Sequence, residues 1–85
     1  MNVYHLKILT PEKMVYDDEV ISMTVTCADG QLTVLAGHAP MVALLAEGPA
    51  TIRTEQGTIE GMAGHGILQV ENNEAAVMVH SFAWD

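Results

Sequence analysis

The sequence predicts an all-β domain, a sandwich or a barrel, and three observations carry that prediction. Apolar residues recur with a period of two rather than 3.6 along most of the chain. Turn-forming residues return about every 8 to 12 positions, the spacing of short strands joined by tight connections. No segment between those turns is long enough for a helix of ordinary length. Met41 to Ala46, the stretch rich in Ala and Leu, has only about six residues between Pro40 and Gly48-Pro49.

The elements follow in chain order. Tyr4, Leu6 and Ile8 point one way and His5 and Lys7 the other, so Tyr4 to Ile8 is a strand, interrupted by Pro11-Glu12-Lys13. Met14-Val15-Tyr16 is a short apolar piece, followed by Asp17-Asp18-Glu19, read as an acidic turn. Val20 to Cys27 alternates most clearly, with Ile21, Met23, Val25 and Cys27 on one face and Ser22, Thr24 and Thr26 on the other. Ala28-Asp29-Gly30 supplies a turn, because Asp and Gly tolerate the backbone it needs. A strand from Gln31 to Leu35 and a small-residue loop, Ala36 to Pro40, come next.

Met41 to Ala46 is assigned as a strand with apolar residues on both faces. Such a strand is either covered on both sides or offers one face to a partner. Ala50 to Glu55 and Thr58 to Ala63 flank a hairpin turn at Gln56-Gly57, and Ile67 to Glu71 and Ala75 to Phe82 flank another at Asn72-Asn73-Glu74. Gly61, Gly64 and Gly66 mark a corner or a close approach between sheets.

Composition bounds the function. The 85 residues are 49% hydrophobic and 16% charged, which suits one small globular domain over 1–85 and is too apolar for disorder. No apolar run approaches the roughly 18 to 20 residues that span a bilayer. The start, Met1-Asn2-Val3-Tyr4-His5, lacks the features of a signal peptide, and a lone Cys27 predicts a reducing, cytosolic setting. Three basic residues against eleven acidic ones give a net charge of −8. That balance offers no basic face for nucleic acid or for anionic lipid.

Chemistry-bearing residues are sparse. His5, His38, His65 and His80 show no metal-ligand spacing and read as scattered surface and loop histidines, so no metal or cofactor is predicted. Cys27 continues an apolar face and reads as a buried thiol; Ser22 and Ser81 read as strand residues without a nucleophile elbow. Gly64-His65-Gly66 precedes a strand rather than a helix, so a tight turn explains it better than a phosphate loop. Two features remain: the Ala36–Pro40 loop with its histidine, and the apolar run beside it.

On specific motifs the chain resembles the epsilon-subunit family of F-type ATP synthases, over its N-terminal domain. The motifs are Tyr4-His5-Leu6 with Thr10-Pro11-Glu12-Lys13, then Asp29-Gly30-Gln31-Leu32 through Gly37-His38-Ala39-Pro40, then Gly66-Ile67-Leu68-Gln69-Val70. The resemblance implies a flattened antiparallel β-sandwich of about ten strands. It also implies a non-catalytic place in the central stalk, clamping the gamma subunit to the c-ring so that proton flow is coupled to ATP synthesis. The implied location is peripheral, on the cytoplasmic face of the energy-coupling membrane, reached through the complex.

Carried over position by position, the implied gamma and c-ring contacts are Gly30, Gln31, Gly37, His38, Ala39, Pro40, Met41 and Val42. Gln31 stands where the family usually has an acidic residue, Ala36 where it has proline, and His65 where a small residue is common. The sequence stops at Trp84-Asp85, where the family's helical hairpin would begin, so the hairpin's inhibition of ATP hydrolysis is not expected of this chain. The alternative is a β-sandwich adaptor of another cytosolic assembly.

Overall fold

The computed structural model describes residues 2–85; Met1, part of the start read for a signal peptide, lies outside the described residues. The described residues form ten strands and no helix. They are β1 (Tyr4–Leu9), β2 (Met14–Val20), β3 (Ser22–Cys27), β4 (Gly30–Leu35), β5 (Met41–Leu45), β6 (Gly48–Thr54), β7 (Gly57–Ala63), β8 (Gly66–Glu71), β9 (Glu74–Val79) and β10 (Phe82–Trp84).

The strands make two layers of a flattened sandwich. One layer runs β4-β3-β6-β7-β10 and the other β5-β8-β9-β1-β2. They are continuous at a corner, where Cys27 of β3 pairs with Leu45 of β5. There Thr26 accepts the Ala46 amide on its carbonyl at 3.0 Å and donates its hydroxyl to the Pro49 carbonyl at 3.0 Å. All pairings are antiparallel except β1 with β9.

Alternation decides what fills the space between the layers. Leu6 and Ile8 from β1, Met23 and Val25 from β3, Val34 from β4, Ile52 from β6 and Leu68 from β8 are almost wholly enclosed. Each side chain of this size contributes about 1.5–3 kcal/mol by leaving water. Tyr4 adds a polar tie between layers, donating its buried hydroxyl to the Val34 carbonyl at 2.8 Å. Burial raises the Tyr4 phenol far above the ordinary tyrosine range. Tyr16 and Trp84 meet edge to face, with centroids 5.9 Å apart, where β2 approaches β10.

The all-β assignment and the hairpin turns hold. The turn at Asn72-Asn73 has both residues in left-handed backbone, φ 52° and 60°, as a two-residue hairpin requires. Cys27 is only half-buried, lying at the corner rather than deep in the core.

Three local readings are corrected. Asp17-Asp18-Glu19 is not a turn but the outer half of β2, where Asp17 stands opposite Lys7 and Glu19 opposite His5. An edge strand tolerates such charges, and opposite charges across the ladder favour the pairing. The long strand expected from Val20 is broken at Ile21, where the chain bends between layers and the Ile21 amide donates to the Arg53 carbonyl at 2.7 Å. The strand expected over 75–82 also breaks, at His80-Ser81. Phe82 to Trp84 leaves β9 to pair with β7, and Ser81 lies in the break rather than within a strand.

That second break faces the connection between β7 and β8, so two crossings between layers run side by side. The Gly64 amide donates to the Ser81 carbonyl at 2.8 Å, and the His80 amide to the His65 carbonyl at 2.9 Å. A side chain on Gly66 would collide with the Met78 carbonyl and the Val79 backbone. The glycines at this corner permit the close approach.

Candidate functional site

The residues singled out from the sequence do not form one cluster. Gly30 and Gln31 begin β4, at the β3–β4 turn, whereas Gly37 to Pro40 follow its other end. A six-residue strand separates them, roughly 20 Å at about 3.3 Å per residue. In a domain measuring 30 × 25 × 22 Å, these are two ends rather than one surface.

The Gly37–Pro40 loop is held from two sides. The His38 amide donates to the Leu35 carbonyl at 3.1 Å, closing a turn that carries Gly37 at φ 78°, a backbone that glycine adopts without strain. The Gly37 amide donates to the Asn73 side-chain oxygen at 2.9 Å, and the Asn73 amide group donates to the Val3 carbonyl at 3.0 Å. Asn73 thus staples the loop to the β8–β9 hairpin and to the chain's start. His38 donates from Nδ1 to the Ala39 carbonyl at 2.7 Å. Ala39 and Pro40 are exposed beside it.

From Met41 the chain enters β5, and its two faces part. Met41, Ala43 and Leu45 pack toward the core, while Val42 and Leu44 are 68% and 74% exposed. Of the two readings of this strand, coverage on both sides is excluded within the chain. Met41 is half-buried against the core, and Leu44 shares the exposed face of Val42.

The pairing register extends this face across the whole layer. Leu44 pairs with Ile67, Ile67 with Met78, Met78 with Leu9, and Leu9 with Met14. This makes one apolar row over five strands, exposed except at half-buried Leu9. The next row, Val42, Gln69, Ala76, Lys7 and Asp17, passes from apolar to charged. Beyond it Glu71, Glu74, His5 and Glu19 form an acidic row. His5 also contacts the Asp17 carboxylate through Nε2. Residues far apart in sequence build this gradient, so only the register reveals it.

The remaining polar groups are spread over open clefts. One is lined by His5, Lys7, Gln69, Glu71 and Glu74, and another by Tyr16, Ile59, Glu60 and Trp84. Burial, and after it the Asp18 carboxylate, raises the Tyr16 phenol. Such a surface can bind by apolar area flanked by negative charge.

Comparison with known proteins gives the fold its lineage. Residues 3–85 match the family described as ATP synthase, Delta/Epsilon chain, beta-sandwich domain. The chain belongs to this family. Its curated relatives include the ATP synthase epsilon chain of Natranaerobius thermophilus, 38% identical over 77 residues, which cover 88% of this chain and 55% of the relative. The epsilon chain of Gloeobacter violaceus is 38% identical over 74 residues, covering 86% and 55% respectively. The chain thus spans about half the length of the curated relatives it matches.

Among solved structures, a chain of the Euglena gracilis mitochondrial ATP synthase OSCP/F1/c-ring assembly superposes with a TM-score of 0.87 at 21% identity, covering 93% of this chain and 51% of the other. A chain of the Tetrahymena thermophila mitochondrial ATP synthase central stalk/c-ring gives 0.81 at 17% identity, covering 93% and 64%. At those identities the likeness establishes the fold, in agreement with the ten-stranded β-sandwich that the resemblance implies, antiparallel throughout except where β1 meets β9.

Proposed function

We propose that this chain works as the β-sandwich domain of an ATP synthase epsilon chain, a non-catalytic rotor element of the central stalk. It joins the gamma subunit to the c-ring, and so helps convert proton flow into ATP synthesis at the cytoplasmic face of the membrane. The observation that carries this reading is the family match over residues 3–85. The exposed apolar row agrees with it, since a rotor coupling needs desolvated contact area more than it needs a reactive group.

The two separated ends suit two partners. In this reading His38, Ala39, Pro40 and Val42, with Gly37 shaping the loop and Met41 anchoring β5, meet the gamma subunit beside the apolar row. Gly30 and Gln31, at the far turn, reach toward the ring loops. The acidic row flanking the apolar one favours a partner surface whose apolar centre is rimmed by basic groups.

The test is an affinity pull-down of the tagged chain from detergent-solubilised membranes of its source, with retained proteins identified by mass. Recovery of gamma together with ring subunits is expected, and His38→Ala should reduce it more than His80→Ala. Recovery of other proteins instead, from extracts where the synthase is intact, points to the adaptor and overturns the proposal.

A further inference from the structure

Two of the four histidines that look scattered in the sequence are brought together by the fold. His65 and His80 stand opposite each other at the corner where β7 passes to β8 and β9 to β10, one step beyond the Gly66–Val79 pair. Their rings are stacked, with centroids 5.4 Å apart and planes inclined by 19°. Both residues are exposed, and among the described residues neither imidazole has a hydrogen-bond or ion-pair partner. We propose that His65 and His80 form a two-imidazole site for a divalent transition-metal cation.

The spacing suits such an ion. A zinc–nitrogen bond of about 2.0–2.1 Å places the metal about 3.2 Å from a ring centre, so two imidazoles at a tetrahedral angle have centres about 5 Å apart. The observed separation is close to that value, and binding requires the two exposed rings to turn out of their stack so that an in-plane nitrogen lone pair of each meets the ion. The backbone that carries them is already fixed. The Gly64–Ser81 and His80–His65 hydrogen bonds clamp the two crossings, and Gly66 lets β8 lie close against the Met78 and Val79 backbone. A pair held in place by its scaffold loses little freedom when it binds.

The donor set selects the class of ion. Imidazole nitrogen suits zinc, nickel and copper, whereas magnesium and calcium require oxygen ligands. The cleft beside the pair is lined by Leu9, Thr10, Pro11, Gly66, Met78 and Val79, with no carboxylate among them. Two protein ligands leave the other coordination positions to water, so the site exchanges its metal rather than burying it.

The test uses the isotope-labelled 85-residue chain titrated with nickel(II), followed by amide spectra and calorimetry. Paramagnetic broadening should appear first at His65, Gly66, His80 and Ser81. His65→Gln and His80→Gln should each weaken nickel affinity at least tenfold while their amide spectra remain those of the folded domain, and His38→Gln should leave it unchanged. Zinc(II) should raise the melting temperature of the unaltered chain and not of the doubly substituted one, as mass action on the folded state requires. Broadening centred on His5 or His38, equal affinity in the double variant, or no binding at millimolar nickel would overturn the proposal.

Discussion

Truncating the outward residues of β5 should separate binding from folding. Leu44 and Val42 are 74% and 68% exposed in the isolated chain. Leu44→Ala removes three carbons, worth about 2.4 kcal/mol at roughly 0.8 kcal/mol each, and three-quarters of that, about 1.8 kcal/mol, is still available to a partner. The same reasoning gives about 1.1 kcal/mol for the two carbons lost in Val42→Ala. Together they predict a loss of gamma affinity of about 100-fold, at about 1.4 kcal/mol per decade. Because the two residues share one strand face, the sum is an upper value.

Calorimetric titration of the double variant with purified gamma subunit reads this loss directly. Thermal melts supply the control: two surface truncations together cost about 1 kcal/mol or less, so the melting temperature should move by no more than about 8 °C. A double variant that melts normally and binds gamma within twofold of the original would refute the assignment of this face. A large drop in melting temperature would contradict its exposure.

Two further predictions concern the scaffold. Tyr4→Phe removes the buried hydroxyl that reaches Val34 and should cost about 1 kcal/mol in urea unfolding at neutral pH. Burial raises the Tyr4 phenol above its unfolded value of 10.0, so above that pH the unfolded chain releases a proton that the folded chain retains. Stability should therefore fall as pH rises through about 10, and less steeply in Tyr4→Phe; an identical alkaline slope in both would count against the burial. Gly66→Ala forces a methyl group into the Met78 and Val79 backbone and should cost about 3 kcal/mol. In Gly37→Ala nothing crowds the new methyl, so the cost is limited to backbone strain of about 1 kcal/mol. Comparative urea unfolding of the two variants checks that order.

Much of the fold was legible because alternation is local. The core positions Leu6, Ile8, Met23 and Val25 can be read from spacing alone, and so can the turns at Asp29, Gln56 and Asn72. What escaped depends on neighbours distant in sequence. Asp17-Asp18-Glu19 looks like a turn until Lys7 and His5 are placed across the ladder. The departure of Phe82 from β9 follows from β7 offering it an edge. The candidate site divides along the same line. The Gly-His-Ala-Pro loop was visible as a motif, whereas the apolar row needs the register of five strands. Stacking of His65 on His80 needs the corner, which its glycines hint at without locating its histidines.

The parallel pairing of β1 with β9 sets the order in which the molecule can be made. His5 pairs with Glu74 and Leu9 with Met78, so the first strand waits for the ninth. During synthesis at about 5–20 residues per second, β1 and β2 emerge seconds before their neighbour exists. Until then β1 has a partner on one edge only, and Leu6 and Ile8 face water without the layer that later covers them. The nascent chain can assemble the β3–β4 and β6–β7 hairpins early, but the sandwich shuts only when β9 reaches β1. A nascent chain that has not yet exposed β9 is an open, sticky half-sandwich, and the arrival of β9 beside β1 is the event that closes it.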